Sequence, residues 1–175
     1  ARLNKELDDS IKVGGYDPAI EEFEKKPEEP FDIVTCLDVL EHIEMNSIDA
    51  VLKDIQKLTG RFCYLGIDLQ PAVKRLADGR NAHILLAPTE WWVGRIAQIF
   101  PCQISFPIMH VRGLPQKLVI AATKDPRLMT VVTGFVRKMD LYNFTLNNGP
   151  LGKFVVKEKG DSKKSQKKLV QVKPD

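Results

Sequence analysis

The stretch PFDIVTCLDVLEHIE, residues 30–44, is an apolar and β-branched run that ends in a knot of ionisable groups, Asp38, Glu41 and His42. Phe31 to Leu40 has the composition of a strand, and its near-continuous apolar character predicts burial on both faces, as in a parallel sheet. The polar knot then falls where such a strand leaves the sheet. Downstream, Ser47 is placed to cap IDAVLKDIQKLTG, in which Ile48, Val51, Leu52, Ile55 and Leu58 recur at helical spacing and Gly60 is placed to end the helix. RFCYLGIDL follows as a second strand. Strand, helix and strand in about 40 residues predict a parallel crossover unit of right-handed sense.

Upstream, Leu3 and Leu7 fit the last turns of a helix, IKVGGY a short strand, and DPAIEEFEKK one or two helical turns with Asp17 as cap and Pro18 at the first position. Beyond the crossover, residues 71–88 read as a loop with a short ordered piece. Thr89 is placed to cap EWWVGRIAQIF, where Trp92, Ile96, Ile99 and Phe100 form one stripe and Trp91 is left freer. CQISFPIMHVR and QKLVIAATK, joined by GLP, predict an antiparallel pair. Residues 126–150 hold an apolar segment of open type, then the turn-rich NNGPLG. From about Gly160 the chain becomes basic, with little to bury, and predicts a flexible tail.

The 175 residues, 43% of them hydrophobic, suit one domain with an appendage: an α/β domain over 1–125, an extension over 126–159 and the basic tail over 160–175. Cys36, Cys63 and Cys102 are odd in number and widely spaced in apolar contexts, which suggests neither a disulfide framework nor a zinc site. No metal is expected on this pattern. The polar N-terminal residues and the lack of a long apolar run predict a soluble, cytoplasmic protein. Charge is uneven: residues 1–46 carry 5 Lys+Arg and 13 Asp+Glu, whereas 150–175 carry 8 and 3.

VGGYDPAIEEF followed by PFDIVTCLDVLEHIE resembles the middle of a class I S-adenosylmethionine-dependent methyltransferase, in which an acidic residue ends the second strand and the fourth carries a pattern of this kind. RFCYLGIDL, the next helix, ISFPIMHV and KLVIAATK are similar to that family's fifth strand and closing hairpin. The resemblance covers roughly residues 10 to 124 and implies an α/β, Rossmann-like, mostly parallel sheet with an antiparallel C-terminal hairpin. The family's glycine-rich loop belongs before residue 1, so the first strand is expected to be missing: either the sequence is a fragment or the central strand has been shed. The interval from Asp17 to Phe31 is also short for the family's helix, third strand and adenine-contacting loop.

The resemblance further implies S-adenosylmethionine as cofactor, with Asp17 on the ribose hydroxyls and Leu37, Asp38 and Val39 beside the ligand at the carboxyl end of their strand. As a plain residue, Asp17 is equally a cap, worth about 1 kcal/mol. His42 is placed to accept a proton or orient a heteroatom, or else to brace the loop. Asp78, Arg80, Asn81 and His83 gather in DGRNAHI, where Arg80 suits an anion and Asn81 paired amide contacts on an acceptor; an ordinary solvated turn is the plain alternative.

Lys163, Lys164, Lys167 and Lys168 offer phosphate contacts to nucleic acid, yet no aromatic residue follows Phe154 and no arginine follows Arg137, so a solubilising tail competes with that role. Two functions therefore stand: methyl transfer to an unidentified acceptor, or a non-catalytic binding or structural protein that keeps the fold. A third reading has a partner chain supplying the missing strand, in an obligate oligomer.

Overall fold

The structure is a computed structural model that describes residues 11–109, 115–148, 153–154 and 170–171. Two compact units divide the chain at Leu128 and Met129. The first holds β1 (Phe31–Leu37), α1 (Ile48–Leu58), β2 (Thr59–Asp68), α2 (Thr89–Ala97), β3 (Cys102–Met109) and β4 (Pro115–Thr123). Its four strands lie in the order β1-β2-β4-β3. β1 pairs with β2 in parallel, while β4 runs antiparallel to both β2 and β3. The second unit holds the helix α3 (Met129–Asn148) and a short antiparallel pair, β5 (Lys153–Phe154) with β6 (Val170–Gln171).

The result is a mixed α/β sheet with the expected antiparallel closing pair, but the expectation of a mostly parallel sheet needs correction. Three strands point the same way, yet only one of the three pairings is parallel, because the reversed β4 sits between β2 and β3. β1 is also not buried on both faces. It is an edge strand among the described residues, with Val34 and Cys36 packed on the core and Ile33 and Leu37 about half exposed. A continuous apolar run thus concealed a one-sided strand.

The core lies against one face of the sheet. Ile48, Leu52 and Ile55 of α1 and Trp92, Ile96 and Phe100 at α2 meet Cys63, Leu65 and Ile67 of β2 and Leu118, Ile120 and Ala122 of β4. The expected stripe of α2 therefore faces inward, with Trp91 only partly covered beneath the Arg95 guanidinium. Arg95 also holds Asp49 in a two-pronged ion pair, at 2.7 and 2.6 Å, which ties α2 to α1.

Several local expectations are corrected by hydrogen bonding. Ser47 and Pro88 occupy the residues before α1 and α2, and neither helix has a side-chain cap; the Ser47 hydroxyl donates to Asn46, and Thr89 is already helical. α1 ends at Leu58 and Thr59 is already in β2, its hydroxyl donating to the Ile55 carbonyl at 2.7 Å. Gly60 serves a different need: a Cβ there would come within 2.9 Å of the Phe31 carbonyl oxygen, so its absence lets β2 approach β1. IKVGGY forms no strand, and the expected helix after Asp17 shrinks to one 3-10 turn at Glu21–Phe23.

The N-terminal helix expected around Leu3 and Leu7 and most of the basic tail lie outside the described residues. No helix among the described residues is long and apolar enough to cross a membrane.

Candidate functional site

At the carboxyl end of β1 the chain turns sharply at Asp38, whose φ of 56° lies in the left-handed region. Asp tolerates that region better than most residues, but it still costs on the order of 1 kcal/mol, and the surroundings hold it in place. The Asp38 N–H donates to Gly66 in β2 at 2.9 Å, and the carboxylate pairs with Lys117 of β4. A 3-10 turn, Leu40–His42, follows at once. Leu40 is fully buried and plugs the turn into the core, which fixes the two residues after it.

Those two are Glu41 and His42. Glu41 is fully buried, an uncommon state for a carboxylate without a counter-charge. One oxygen, Oε1, accepts from the Asp68 N–H at the end of β2 at 3.2 Å, and the Glu41 carbonyl accepts from the Leu85 N–H at 2.9 Å. The other oxygen, Oε2, has no hydrogen-bond partner among the described residues. Burial, and secondarily the Glu41 charge, push the Cys36 thiol up to about 11; burial pushes Cys63 to about 12, with weaker opposing backbone hydrogen bonds. Both cysteines are packed thiols with no nucleophilic character at neutral pH.

The loop over residues 71–88 folds back on itself. Arg75 and Asn81 form a bridge, and the turn between them passes through Gly79 at a φ of 85°. Asn81 fastens this hairpin: its amide oxygen accepts from Ala72 and His83 N–H groups, both at 2.9 Å, and its amide nitrogen donates to the Ala72 carbonyl at 2.8 Å. The paired amide contacts anticipated for an acceptor are made with the chain's own backbone.

Arg80 likewise has partners. It pairs with Asp78 and Glu44, both at 2.7 Å, on the exposed side of the loop. The Glu44 and then the Asp78 hydrogen bonds hold the guanidinium in its charged form, and Arg80 holds the Asp78 carboxyl below its usual range.

The hairpin delivers His83 to His42. Their rings meet edge to face with centroids 4.9 Å apart. His42 Nδ1 lies 2.7 Å from the Ala82 carbonyl and His83 Nδ1 lies 2.5 Å from the Gln70 carbonyl. A carbonyl only accepts, so each Nδ1 carries hydrogen, and in a neutral ring each Nε2 presents its lone pair. Gln70, whose carbonyl accepts from His83, also lines a cleft of about 320 Å³ together with Leu69, Leu86, Pro88, Thr89 and Pro115.

The sequence-derived candidates thus fall into three places. Leu37, Asp38, Val39 and His42 share the end of β1, and Leu37 and Val39 remain substantially exposed there. Arg80, Asn81 and His83 share the hairpin, of which only His83 reaches His42. Asp17 belongs to neither group: its carboxylate accepts from the Ala19 N–H at 2.9 Å, and its segment meets the sheet where Gly14 lies against Phe31, at the amino end of β1. Glu41 was not singled out as a site residue, although its place in LEH, one residue from His42, was the available signal.

No protein-family profile and no curated relative matches this chain. Among solved structures it is similar to one described as a DhpI-SAH complex, at 14% identity and a TM-score of 0.41, over 59% of this chain and 52% of that one. The chain spans about half the length of that structure, a similarity too remote to assign fold or chemistry.

Proposed function

We propose that the chain is a methyltransferase-like domain that binds S-adenosylmethionine at the carboxyl ends of β1 and β2. The observation that carries the proposal is the convergence of Leu37–His42 and the His83 hairpin at that edge, in a sheet closed by the antiparallel pair that the sequence resemblance implies. The groups present suit such a ligand. Leu37 and Val39 offer apolar surface for a base, and Asp38 between them, engaged with Lys117 through Oδ1, has its second carboxylate oxygen as an acceptor for a hydroxyl. The adjoining cleft is at the small end of the usual ligand-site range.

The bound cofactor would supply an electrophilic methyl group on a sulfonium. The protein's part would be to position the acceptor heteroatom toward that methyl group. In the metal-free chain the proton lost by the acceptor has a receiver in the Nε2 lone pair of His42 or His83. Asn81 acts on the hairpin's shape through Ala72 and His83, and Arg80 is engaged by Asp78 and Glu44 on its exposed side.

Calorimetric titration of S-adenosylmethionine and S-adenosylhomocysteine into the full chain tests the proposal. Micromolar binding is expected, weakened at least tenfold by Asp38→Ala and little changed by Asp17→Ala. A folded chain that binds neither compound would leave the non-catalytic alternative.

A further inference from the structure

We propose that Glu41, His42 and His83 form a binding site for one divalent transition-metal ion. Methyl transfer is not a premise of this proposal. The three residues each offer one ligand atom, and these atoms all lie within 4.8 Å of one another. Two imidazole nitrogens and a carboxylate oxygen are the donor set of zinc, iron, cobalt and related ions, and are poorly suited to magnesium or calcium.

Three features show a site that is built rather than a chance meeting of polar groups. The first is the orphaned Glu41 Oε2, an acceptor on a fully buried side chain with no partner among the described residues. A buried carboxylate in that state calls for a positive charge. The second is the pair of Nδ1–H bonds to the Ala82 and Gln70 carbonyls. A metal-binding histidine characteristically donates its other ring N–H in this way, which fixes the tautomer and turns the Nε2 lone pair toward the ion.

The third is that the scaffold itself makes the meeting. Leu40 plugs the turn bearing Glu41 and His42, Asp68 N–H steadies Glu41 Oε1, and Asn81 accepts from the His83 N–H. Every ligand thus has a second bond of its own to the fold.

An ion held at about 2.1 Å needs its donors about 3.4 Å apart in a tetrahedral site. Binding therefore draws the ligands together by at most about 1.4 Å, a motion within reach of the exposed His42 ring. Three protein ligands leave at least one position for water or for an oxygen of a bound molecule. The open side is that of His42, since Glu41 closes the site from within.

The test uses the full chain, stripped with a chelator and titrated with Zn²⁺ by calorimetry, with Co²⁺ added separately to read coordination from its visible spectrum. One ion per chain is expected, with Mg²⁺ failing to compete. Glu41→Gln, His42→Ala and His83→Ala should each weaken Zn²⁺ binding at least tenfold. His110→Ala, which removes the remaining histidine of the chain, should leave it within twofold. Circular dichroism checks each variant's fold.

Should a variant fail to fold, the unaltered chain still decides: Zn²⁺ should shield His42 and His83, but not His110, from diethyl pyrocarbonate as located by mass spectrometry. A folded chain that takes up no Zn²⁺, affinity that survives all three substitutions, or equal shielding of all three histidines would overturn the site.

Discussion

Two polar clusters share the loop over residues 71–88, and they differ in what they leave unpaired. On the exposed side, Arg80 joins Asp78 and Glu44, and opposite charges meet within hydrogen-bond distance. On the inner side, Glu41, His42 and His83 bring one possible ligand atom each to within 4.8 Å of one another, Glu41 Oε2 has no partner among the described residues, and both Nδ1–H groups go to backbone carbonyls. The first cluster is complete as it stands. The second is complete only with a cation. Proximity of polar residues is therefore a poor guide to function; the balance of donors and acceptors separates the two clusters.

The comparison breaks most severely if the hairpin is released. Asn81→Ala removes three hydrogen bonds, which at about 1 kcal/mol each costs roughly 3 kcal/mol of stability. Urea unfolding measures that loss, and Zn²⁺ affinity should fall with it, because His83 loses the acceptor of its N–H.

The sheet under the inner cluster gives a second test, in alkali. Cys36 and Cys63 ordinarily titrate near 9 and are raised to about 11 and about 12 in the folded chain. Above pH 9 the unfolded thiols lose protons that the folded ones keep, so stability is unaffected by them below that pH and falls as pH rises toward 11 and 12. The two together should cost about 2 kcal/mol between pH 9 and pH 10. Comparison with a Cys36→Ala, Cys63→Ala double variant isolates this slope; an equal slope in that variant would contradict the packed, neutral thiols.

A smaller effect of opposite sign is expected from Glu41→Gln. The amide keeps an acceptor for the Asp68 N–H and places a donor where the orphaned oxygen stood, so the metal-free chain should gain about 1 kcal/mol in urea unfolding. A loss of stability would mean that the carboxylate already has its counter-charge without metal. Least of all should come from Arg80→Ala: its pairs are exposed, and both melting temperature and Zn²⁺ affinity should stay within experimental scatter.

Much of the first unit was legible because its signals are local. The periodicity of α1, the stripe on α2 and the paired strands at Cys102–Met109 and Pro115–Thr123 are properties of short windows. What escaped depends on partners remote in sequence. The apolar Phe31–Leu37 run does not tell whether a second neighbour flanks it, so its edge position was hidden. Gly60 has the look of a helix stop, and only the Phe31 carbonyl opposite shows why a side chain is excluded there.

For the candidate site, the turn at Asp38–His42 and the hairpin at Arg80–His83 were each visible in the sequence. The resemblance implied that both lie near an acceptor, but the contact of the His42 and His83 rings was not legible, because Leu40 and Asn81 steer the two segments through burial and backbone bonds that composition does not encode. Asp17 has the local role that its plain reading as a cap offered: among the described residues its side chain bonds to the Ala19 N–H.

The direct passage from α1 into β2 at Thr59 leaves this crossover without slack. One residue inserted at the joint would have to be absorbed by rotating the helix about 100° or by turning the strand's side chains to the opposite face. Length variation should therefore be rejected between Ile55 and Phe62, making the joint the fixed gauge against which the rest of the unit is cut.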